Sequence, residues 1–292
     1  MDTQKSFSQP DAGHLYLVPT PIGNLEDMTY RAVRTLKDVD LIAAEDTRHT
    51  QQLLNHFEIS THQISFHEHN SQARIPELVA KMQAGQDIAQ VSDAGMPSIS
   101  DPGHDLVMAC IAAKIAVIPL PGANAGMTAL IASGLSPQPF YFWGFLPRKK
   151  GDLATTLDEL ADFPETIIFY EAPHRLKKTL QALAKHLGGE RQIVVCRELT
   201  KKFEEFIRGD LKQVVQWSTE TEIRGEFVLI VEGSHETHAE LDNDLAAQPL
   251  RVQVETWMER GERTNDAIKK VAKANGLKRQ VVYDDYHQIT KE

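Results

Sequence analysis

The fold is decided by residues 87–126, DIAQVSDAGMPSISDPGHDLVMACIAAKIAVIPLPGANAG. A short apolar run at 87–91 predicts a strand, and a loop of small residues and prolines follows it. A helix is predicted at 102–113 and a second strand at 116–120, before a glycine-rich turn at 122–126 begins the next helix. This order of strand, helix and strand is typical of a parallel sheet covered by helices on both faces.

The same alternation extends in both directions from this stretch. Upstream, we predict strands at 14–18, 39–44 and 63–66, and helices at 29–36, 47–56 (with Thr47 as N-cap) and 72–83. Downstream, we predict strands at 140–145, 165–170, 192–196 and 227–231, helices at 153–160 and 175–186, and a basic loop at 147–152. The sequence therefore predicts an α/β fold built from two cycles.

The composition changes after Gly233, where a polar, acidic stretch precedes a basic helical end. A helix at 264–274 stops at Asn275-Gly276, and another begins near Arg279, which is the pattern of a helix-turn-helix. We expect a disordered leader at 1–13, α/β domains at 14–125 and 126–234, a linker at 235–244 and a small helical module at 245–292.

The overall composition excludes several classes of protein. With 292 residues, 41% hydrophobic and 25% charged, the chain is ordinary for a globular protein, and no apolar run is long enough to span a membrane. The formal charge of −10 argues against bulk attraction to nucleic acid, although it allows local basic patches. Cys110 and Cys196 lie far apart in apolar contexts, so we expect buried thiols and a cytoplasmic protein.

Four loops that follow predicted strands carry the candidate chemistry: PTPIGNL (19–25), AEDTRH (44–49), SDAGMPSISDPG (92–103) and PLPGANAG (119–126). Open α/β sheets bind ligands at the carboxyl ends of their strands, so these loops predict a single site. Small residues let the backbone approach a ligand, and Asp93 offers an acceptor to a hydroxyl or an amine.

Motifs of other classes are absent from the sequence. There is no GxGxxG, GxxxxGK[ST], HExxH or GxSxG, which argues against a dinucleotide fold, a P-loop, a zincin and a serine hydrolase. His67 and His69 lie two residues apart, and Asp46, Asp93 and Asp101 would suit a metal-dependent hydrolase, but we expect no metal site.

Eight motifs together resemble the tetrapyrrole methylase fold family, the S-adenosylmethionine enzymes without a Rossmann domain. They are LYLVPTPIGNLEDMT (15–29), LIAAEDTRHT (41–50), VSDAGMPSISDPG (91–103), VIPLPGANA (117–125), FWGFLPRK (142–149), IIFYEAPHRL (167–176), RELTKKFEE (197–205) and GEFVLIVEG (225–233). The PIGNL and AEDTRHT motifs resemble most the branch that methylates the 2′-oxygen of a cytidine in the decoding region of 16S ribosomal RNA.

The resemblance implies two α/β domains with S-adenosylmethionine folded between them, a homodimer, the small ribosomal subunit as partner and no membrane association. Carried over by motif, the cofactor-binding residues are Pro21, Asp93, Ala94, Gly95, Met96, Ser98, Ile99, Asn124, Ala125, Tyr170, Glu171, Ala172, Glu226, Phe227 and Val228. The sequence departs from the family at PGANA, where a second proline and a cysteine are familiar, and at Ala172, where a serine is.

Glu45 or Asp46 is the expected acceptor of the ribose proton, with Arg48 holding a phosphate or orienting the carboxylate. The alternative is that these charges form an ion pair that caps the helix beginning at Thr47. Candidate RNA contacts are Arg148, Lys149, Lys150, Lys201, Lys202, Lys269, Lys270, Lys273, Lys278 and Arg279, each of which is otherwise a solvated surface charge. Three rival functions remain open: a methylase of a tetrapyrrole ring, a non-catalytic DNA-binding regulator and a metal-dependent hydrolase built from the three aspartates named above.

Overall fold

The computed structural model describes residues 3–6, 12–234, 245 and 247–288 of the chain. The predicted linker at 235–244 lies outside these residues, and so does most of the predicted leader. Within the leader, the amide of Gln4 donates to the carbonyl of Val117 and accepts from its N–H, both at 2.9 Å. The chain divides into two compact units, Met1–Gly233 and Ser234–Glu292.

The first sheet is parallel throughout, as predicted, and has the strand order β3-β2-β4-β1-β5. Its strands are β1 (His14–Leu17), β2 (Leu41–Ala44), β3 (Gln63–Ser65), β4 (Ile88–Val91) and β5 (Ala116–Pro119). The helices connecting them are α1 (Tyr30–Asp38), α2 (Thr47–His56), α3 (Ser71–Gln83) and α4 (His104–Ala112). Every residue of β2 and β4 is buried, because helices pack on both faces.

The second sheet is mixed, with the order β6-β7-β10-β8-β9. Its strands are β6 (Phe140–Phe145), β7 (Thr166–Glu171), β8 (Gln192–Arg197), β9 (Glu205–Asp210) and β10 (Phe227–Val231). The accompanying helices are α5 (Ala125–Ser133), α6 (Lys150–Leu160), α7 (Pro173–Leu187) and α8 (Leu211–Glu220). Only β6 and β7 run parallel; the other neighbours are antiparallel.

Helix α5 connects the two sheets. It follows β5 of the first sheet, yet Ala129 and Leu130 pack against Ile168 and Ile230 of the second. The turn at 120–124 that carries the chain from β5 to α5 therefore lies where the two halves of this unit meet. In the second sheet, Phe227 pairs with Glu171 on one side and with Arg197 on the other, so the ends of three strands coincide at one edge.

The second unit contains three helices, α9 (Leu250–Glu259), α10 (Thr264–Ala274) and α11 (Arg279–Tyr286). The last two begin at the predicted residues and are joined by a turn in which Gly276 has a φ of +64°. They form a small core of their own around Val254, Ile268, Val271 and Val282. Helix α9, which completes that core, lies inside the predicted helical module, although its bounds were not predicted.

Two local predictions differ from the structure, and two elements were not predicted. Residues 150–152 were expected in a loop but begin α6, since Lys149 takes the extended backbone that precedes a helix. Thr47 was expected as the N-cap of α2, but Asp46 takes that position and accepts the N–H of Arg48. The strand β9 and the helix α8 were not predicted. In the described part of the chain, no helix is both long and apolar enough to cross a membrane.

Candidate functional site

A cavity of about 440 Å³ lies between the two sheets of the first unit, where the loops after β2, β4 and β5 face the ends of β7 and β10. Glu45, Asp93–Met96, Ile99–Asp101 and Asn124 line it from the first sheet. From the second sheet, its lining includes Phe145, Tyr170–Pro173, Cys196 and Glu226–Val228. The parallel strands of the first sheet bring these loops together, as the sequence predicted.

The loop after β4 has a backbone that is held in place from two sides. Thr20 and Gly95 exchange two backbone hydrogen bonds of 3.0 Å, so the loop after β1 is tied to it. The side chain of Gln90 reaches from β4 to donate to the carbonyl of Pro102 at 2.6 Å. Gly103 has a φ of +146°, and a Cβ at this position would collide with Gln90 and Ser98.

The start of α5 is fixed by side chains that also line the cavity. The Asn124 side chain caps the helix by accepting the N–H of Met127 at 2.9 Å. The hydroxyl of Tyr170 accepts the N–H of Gly126 at 3.1 Å, which connects β7 to this helix. Burial raises the pKa of the Tyr170 phenol above its ordinary value.

Glu171 is a buried carboxylate at the base of the cavity. One of its oxygens accepts the N–H of Ala172 at 2.8 Å, and the other accepts the hydroxyl of Thr179 at 2.5 Å. The guanidinium of Arg175 lies 3.6 Å away and also donates to the carbonyls of Leu146 and Pro147. A buried charge needs such partners, so Glu171 fixes the backbone at the start of α7 and the loop after β6.

The cavity is acidic. Glu45, Asp93, Asp101, Glu171 and Glu226 line it, and none of the described lining residues is a lysine, an arginine or a histidine. Burial raises the pKa of Glu45 and of Asp101, and the nearby carboxylate of Asp93 raises both further. Glu45 remains oriented because its carboxylate accepts the N–H of Asp93 at 3.2 Å. Such a lining suits a ligand that carries a positive charge.

Asp46 and Arg48 do not line this cavity. Arg48 is 89% exposed and forms a bidentate pair with Asp46 through bonds of 3.1 and 2.7 Å. The same carboxylate accepts the backbone N–H of Arg48, and these contacts hold the pKa of Asp46 far below its usual range. Asp46 and Arg48 therefore form the ion pair that caps α2, which was the alternative prediction from the sequence. Separately, the backbone N–H of Asp46 donates to the carboxylate of Asp93 at 3.1 Å.

All of the residues expected at the cofactor line the cavity except Pro21 and Ser98. Pro21 lines an adjoining cavity, and Ser98 turns its hydroxyl toward Gly103 under the loop. Sequence reasoning missed the lining residues Ile22, Ser100, Phe145, Pro173, Cys196 and Leu199, and it named Asp101 only as a residue of a metal-dependent hydrolase. Asp101 lies in the predicted loop after β4, and that position was the only signal that it lines this cavity. Phe145 and Cys196 lie in strands, where an apolar side chain predicts only a core.

The basic candidates differ in their surroundings. Arg148, Lys149 and Lys150 are exposed together where α6 begins. Lys201 is bonded to the carboxylates of Glu198 at 2.9 Å and Glu226 at 2.8 Å, whereas Lys202 is exposed beside Phe203.

In the second unit, Lys269, Lys270, Lys278 and Arg279 are exposed, and Lys270 also pairs with Glu262 at 2.7 Å. The side chain of Lys273 is not among those described. The second unit therefore presents most of its predicted cations to solvent.

Two sets of residues in the sequence offer metal-binding side chains, His67 with His69 and Asp46 with Asp93 and Asp101. The rings of His67 and His69 lie 6.0 Å apart. Among the described residues, no three His, Cys, Asp or Glu side chains are placed to hold a metal ion. Asp93 and Asp101 line the cavity, and Asp46 does not.

Comparisons with known proteins agree with this geometry. A family model described as Tetrapyrrole (Corrin/Porphyrin) Methylases matches residues 14–215. Among solved structures, uroporphyrin-III C-methyl transferase from Thermus thermophilus, complexed with S-adenyl homocysteine, has the same fold, with a TM-score of 0.55 at 18% identity over 75% of this chain and 97% of that one.

Two relatives match along nearly their whole length. Both are named ribosomal RNA small subunit methyltransferase I. The protein from Streptococcus pyogenes serotype M1 is 52% identical over 99% of this chain and 100% of its own. The protein from Bacillus subtilis strain 168 is 51% identical over 97% of this chain and 98% of its own. The chain therefore belongs to the tetrapyrrole (corrin/porphyrin) methylase family, in the branch of the small-subunit ribosomal RNA methyltransferases I.

Proposed function

We propose that this protein transfers the methyl group of S-adenosylmethionine to the ribose 2′-oxygen of a cytidine in the decoding region of 16S ribosomal RNA. The names of relatives that match over nearly their full length support a methyltransferase acting on small-subunit RNA. The observation that carries the proposal is the acidic cavity, whose described lining contains carboxylates and no cation. That lining is suited to a sulfonium.

The residues of the cavity fit the donor. When bound, S-adenosylmethionine supplies an electrophilic methyl: its carbon–sulfur bond breaks as the carbon–oxygen bond forms, and the electron pair stays on sulfur. Asp93 and Asp101 offer carboxylates to its positive groups, and the small residues Ala94 and Gly95 let the backbone approach it. The capped start of α5 keeps Asn124 and Ala125 in position, and Glu171 does the same for Ala172.

Glu45 is the favoured acceptor of the ribose proton within the set Glu45, Asp46 and Arg48. It lines the cavity, and its raised pKa makes it a better base than an ordinary glutamate. Asp46 is a weaker candidate because Arg48 lowers its pKa. We assign Asp46 to the positioning of Asp93 and the cap of α2, and the exposed Arg48 to an RNA phosphate.

The RNA contacts follow from the exposed cations. Arg148–Lys150, Lys202 and the cations of the second unit are assigned to phosphates, in a cytoplasmic homodimer that acts on the small subunit. The net charge of −10 makes local patches necessary, since the whole molecule repels RNA.

The decisive experiment is the transfer of labelled methyl to small ribosomal subunits that lack the modification, followed by mapping of the labelled ribose. We expect one labelled cytidine, with the label on the 2′-oxygen. Label on a base, or methylation and a spectral change of a porphyrinogen in place of RNA, would contradict the proposal.

A further inference from the structure

A second cavity of about 500 Å³ adjoins the first one. It is bounded by the loop after β1, the first two turns of α2 and the beginning of the loop after β4. Lys201 and Glu226 close it from the second sheet. Its lining residues include Thr20, Pro21, Gly23, His49, Thr50, Gln52 and Ser92.

The two cavities have a common wall. Ile22, Asp93, Ala94 and Glu226 line both of them. A molecule held in the second cavity therefore lies directly beside a ligand of the first, and Glu45 lines the first cavity near this wall through its contact with Asp93. A methyl acceptor needs this placement relative to the donor, because transfer requires the two reacting atoms in contact.

The lining of the second cavity is suited to a nucleoside. His49 and Gln52 are exposed on α2 and offer hydrogen-bond donors and acceptors that match the edge of a base. Lys201 is bonded to the carboxylates of both Glu198 and Glu226, so its charge is more than neutralised by these two partners. The lining therefore favours hydrogen bonds to a neutral base and sugar over a phosphate.

The surroundings of the cavity are suited to a single strand of RNA. Next to Lys201, Phe203 is 68% exposed, and the ammonium of Lys202 lies 5.7 Å from its ring. Next to His49, the exposed Arg48 provides another cation. An exposed ring beside cations is the combination that binds unpaired nucleotides, through stacking and phosphate contacts.

We propose that the second cavity holds the target nucleoside, turned out of the RNA, with its ribose at the wall shared with the donor cavity. The inference rests on the proposed function, since it requires an RNA acceptor. The size of the cavity is in the range of small-molecule sites. His49 and Gln52 contact the base, and Lys201 is a positioning residue that holds Glu226 at the shared wall.

The test uses two variants of exposed α2 residues: one fills the second cavity, and the other removes polar side chains that line it. Gln52→Trp occupies the space from a surface helix position, and the double variant His49→Ala/Gln52→Ala removes the proposed base contacts. We expect both to raise the KM for unmodified small subunits about tenfold or more: Gln52→Trp because it occupies the space, and the double variant because it loses about one hydrogen bond to a desolvated group. The Kd for the same subunits, measured by filter binding without donor, rises as well, while the Kd for S-adenosylmethionine stays within about twofold.

Gln51→Ala is the matched control, on the same helix but outside both cavities. Gln51 hydrogen-bonds to Asn55 and Gln63, so this variant loses more internal contacts yet leaves subunit binding unchanged. Weaker donor binding in the Gln52 variants would assign the second cavity to the donor, and unchanged subunit binding would also overturn the inference. If the wild-type protein labels no RNA, the proposed function is wrong. If the wild-type protein labels RNA and the Gln52 variants bind subunits as well as it does, the proposed function stands and only the inference about the second cavity is wrong.

Discussion

Glu45 combines a raised pKa with a position at the cavity, and this predicts opposite effects on rate and stability. Glu45→Gln removes the proton acceptor, so we expect the methyl-transfer rate to fall about 100-fold or more. The amide still accepts the N–H of Asp93. In the wild-type protein the rate falls as the pH drops through the raised pKa of Glu45, at a higher pH than for an ordinary glutamate.

The stability of the same variant has a defined pH dependence. A carboxyl whose pKa is raised by folding destabilises the folded state as it ionises, so the wild-type protein loses this stability as the pH rises through the raised value. We expect Glu45→Gln to unfold at higher urea concentration than wild type above that pH, and at the same concentration below the ordinary pKa of glutamate. A variant less stable at pH 8 would contradict the burial argument.

Asp46 and Arg48 act outside the cavity, so their substitution is expected to change the rate more than the affinity for the donor. Asp46→Ala removes the cap of α2 and the partner of Arg48, while Asp46→Asn keeps an acceptor for the capped N–H. Single-turnover rates and the Kd for S-adenosylmethionine separate the two effects. Full rates in both Asp46→Ala and Arg48→Ala would remove these residues from the mechanism.

At the scale of an element, the loop after β4 is expected to tolerate little change. Gly103→Ala adds a Cβ that collides with Gln90 and Ser98 at a φ of +146°. We expect donor affinity to fall about tenfold and the free energy of unfolding to fall by roughly 1–3 kcal/mol. Gly151→Ala is the control, because Gly151 lies in α6 and a Cβ added there meets open space. We expect this variant's free energy of unfolding to rise by about 0.5 kcal/mol. Equal donor affinity in both variants would contradict the claim that donor binding depends on the conformation of the loop after β4.

The elements show which parts of the fold a sequence can predict. Strands that are mainly apolar, such as IAQV (88–91) and FVLIV (227–231), were predicted because burial on both faces requires apolar residues at most positions. The edge strand EFIRGD (205–210) was missed because it is only partly buried and carries charges. Helix α8 has a capping box at Asp210 and Gln213, a signal that was present but overlooked.

For the candidate site, the positions of the strand ends predicted that the loops of the first sheet form one site, and the family resemblance supplied most of the individual lining residues. Phe145 and Cys196, which line the cavity from strands of the second sheet, were not predicted, because an apolar residue in a strand indicates only a core position and the packing of α5 on this sheet is not visible in the sequence. The same limit applies to the N-cap at Asp46, which depends on the geometry of one turn.

At the scale of the whole molecule, both cavities lie in the first unit, and the second unit has a hydrophobic core of its own. Deletion from Leu245 onward should therefore leave the Kd for S-adenosylmethionine within about twofold. We expect RNA binding to weaken and its salt dependence to become shallower, as fewer phosphates are neutralised. Calorimetry for the donor and filter binding across a salt series measure the two effects. Loss of donor binding in the truncated protein would contradict the independence of the second unit.

The lack of any cation among the described residues that line the first cavity also bears on how the reaction cycle ends. Methyl transfer converts the charged sulfonium into a neutral thioether, while Asp93, Asp101 and Glu226 remain as they were. The thioether product therefore lacks the electrostatic attraction to these carboxylates that the sulfonium has, and S-adenosylmethionine displaces it more readily. We expect end-product inhibition to be weak, and to strengthen when Asp101 is replaced by asparagine.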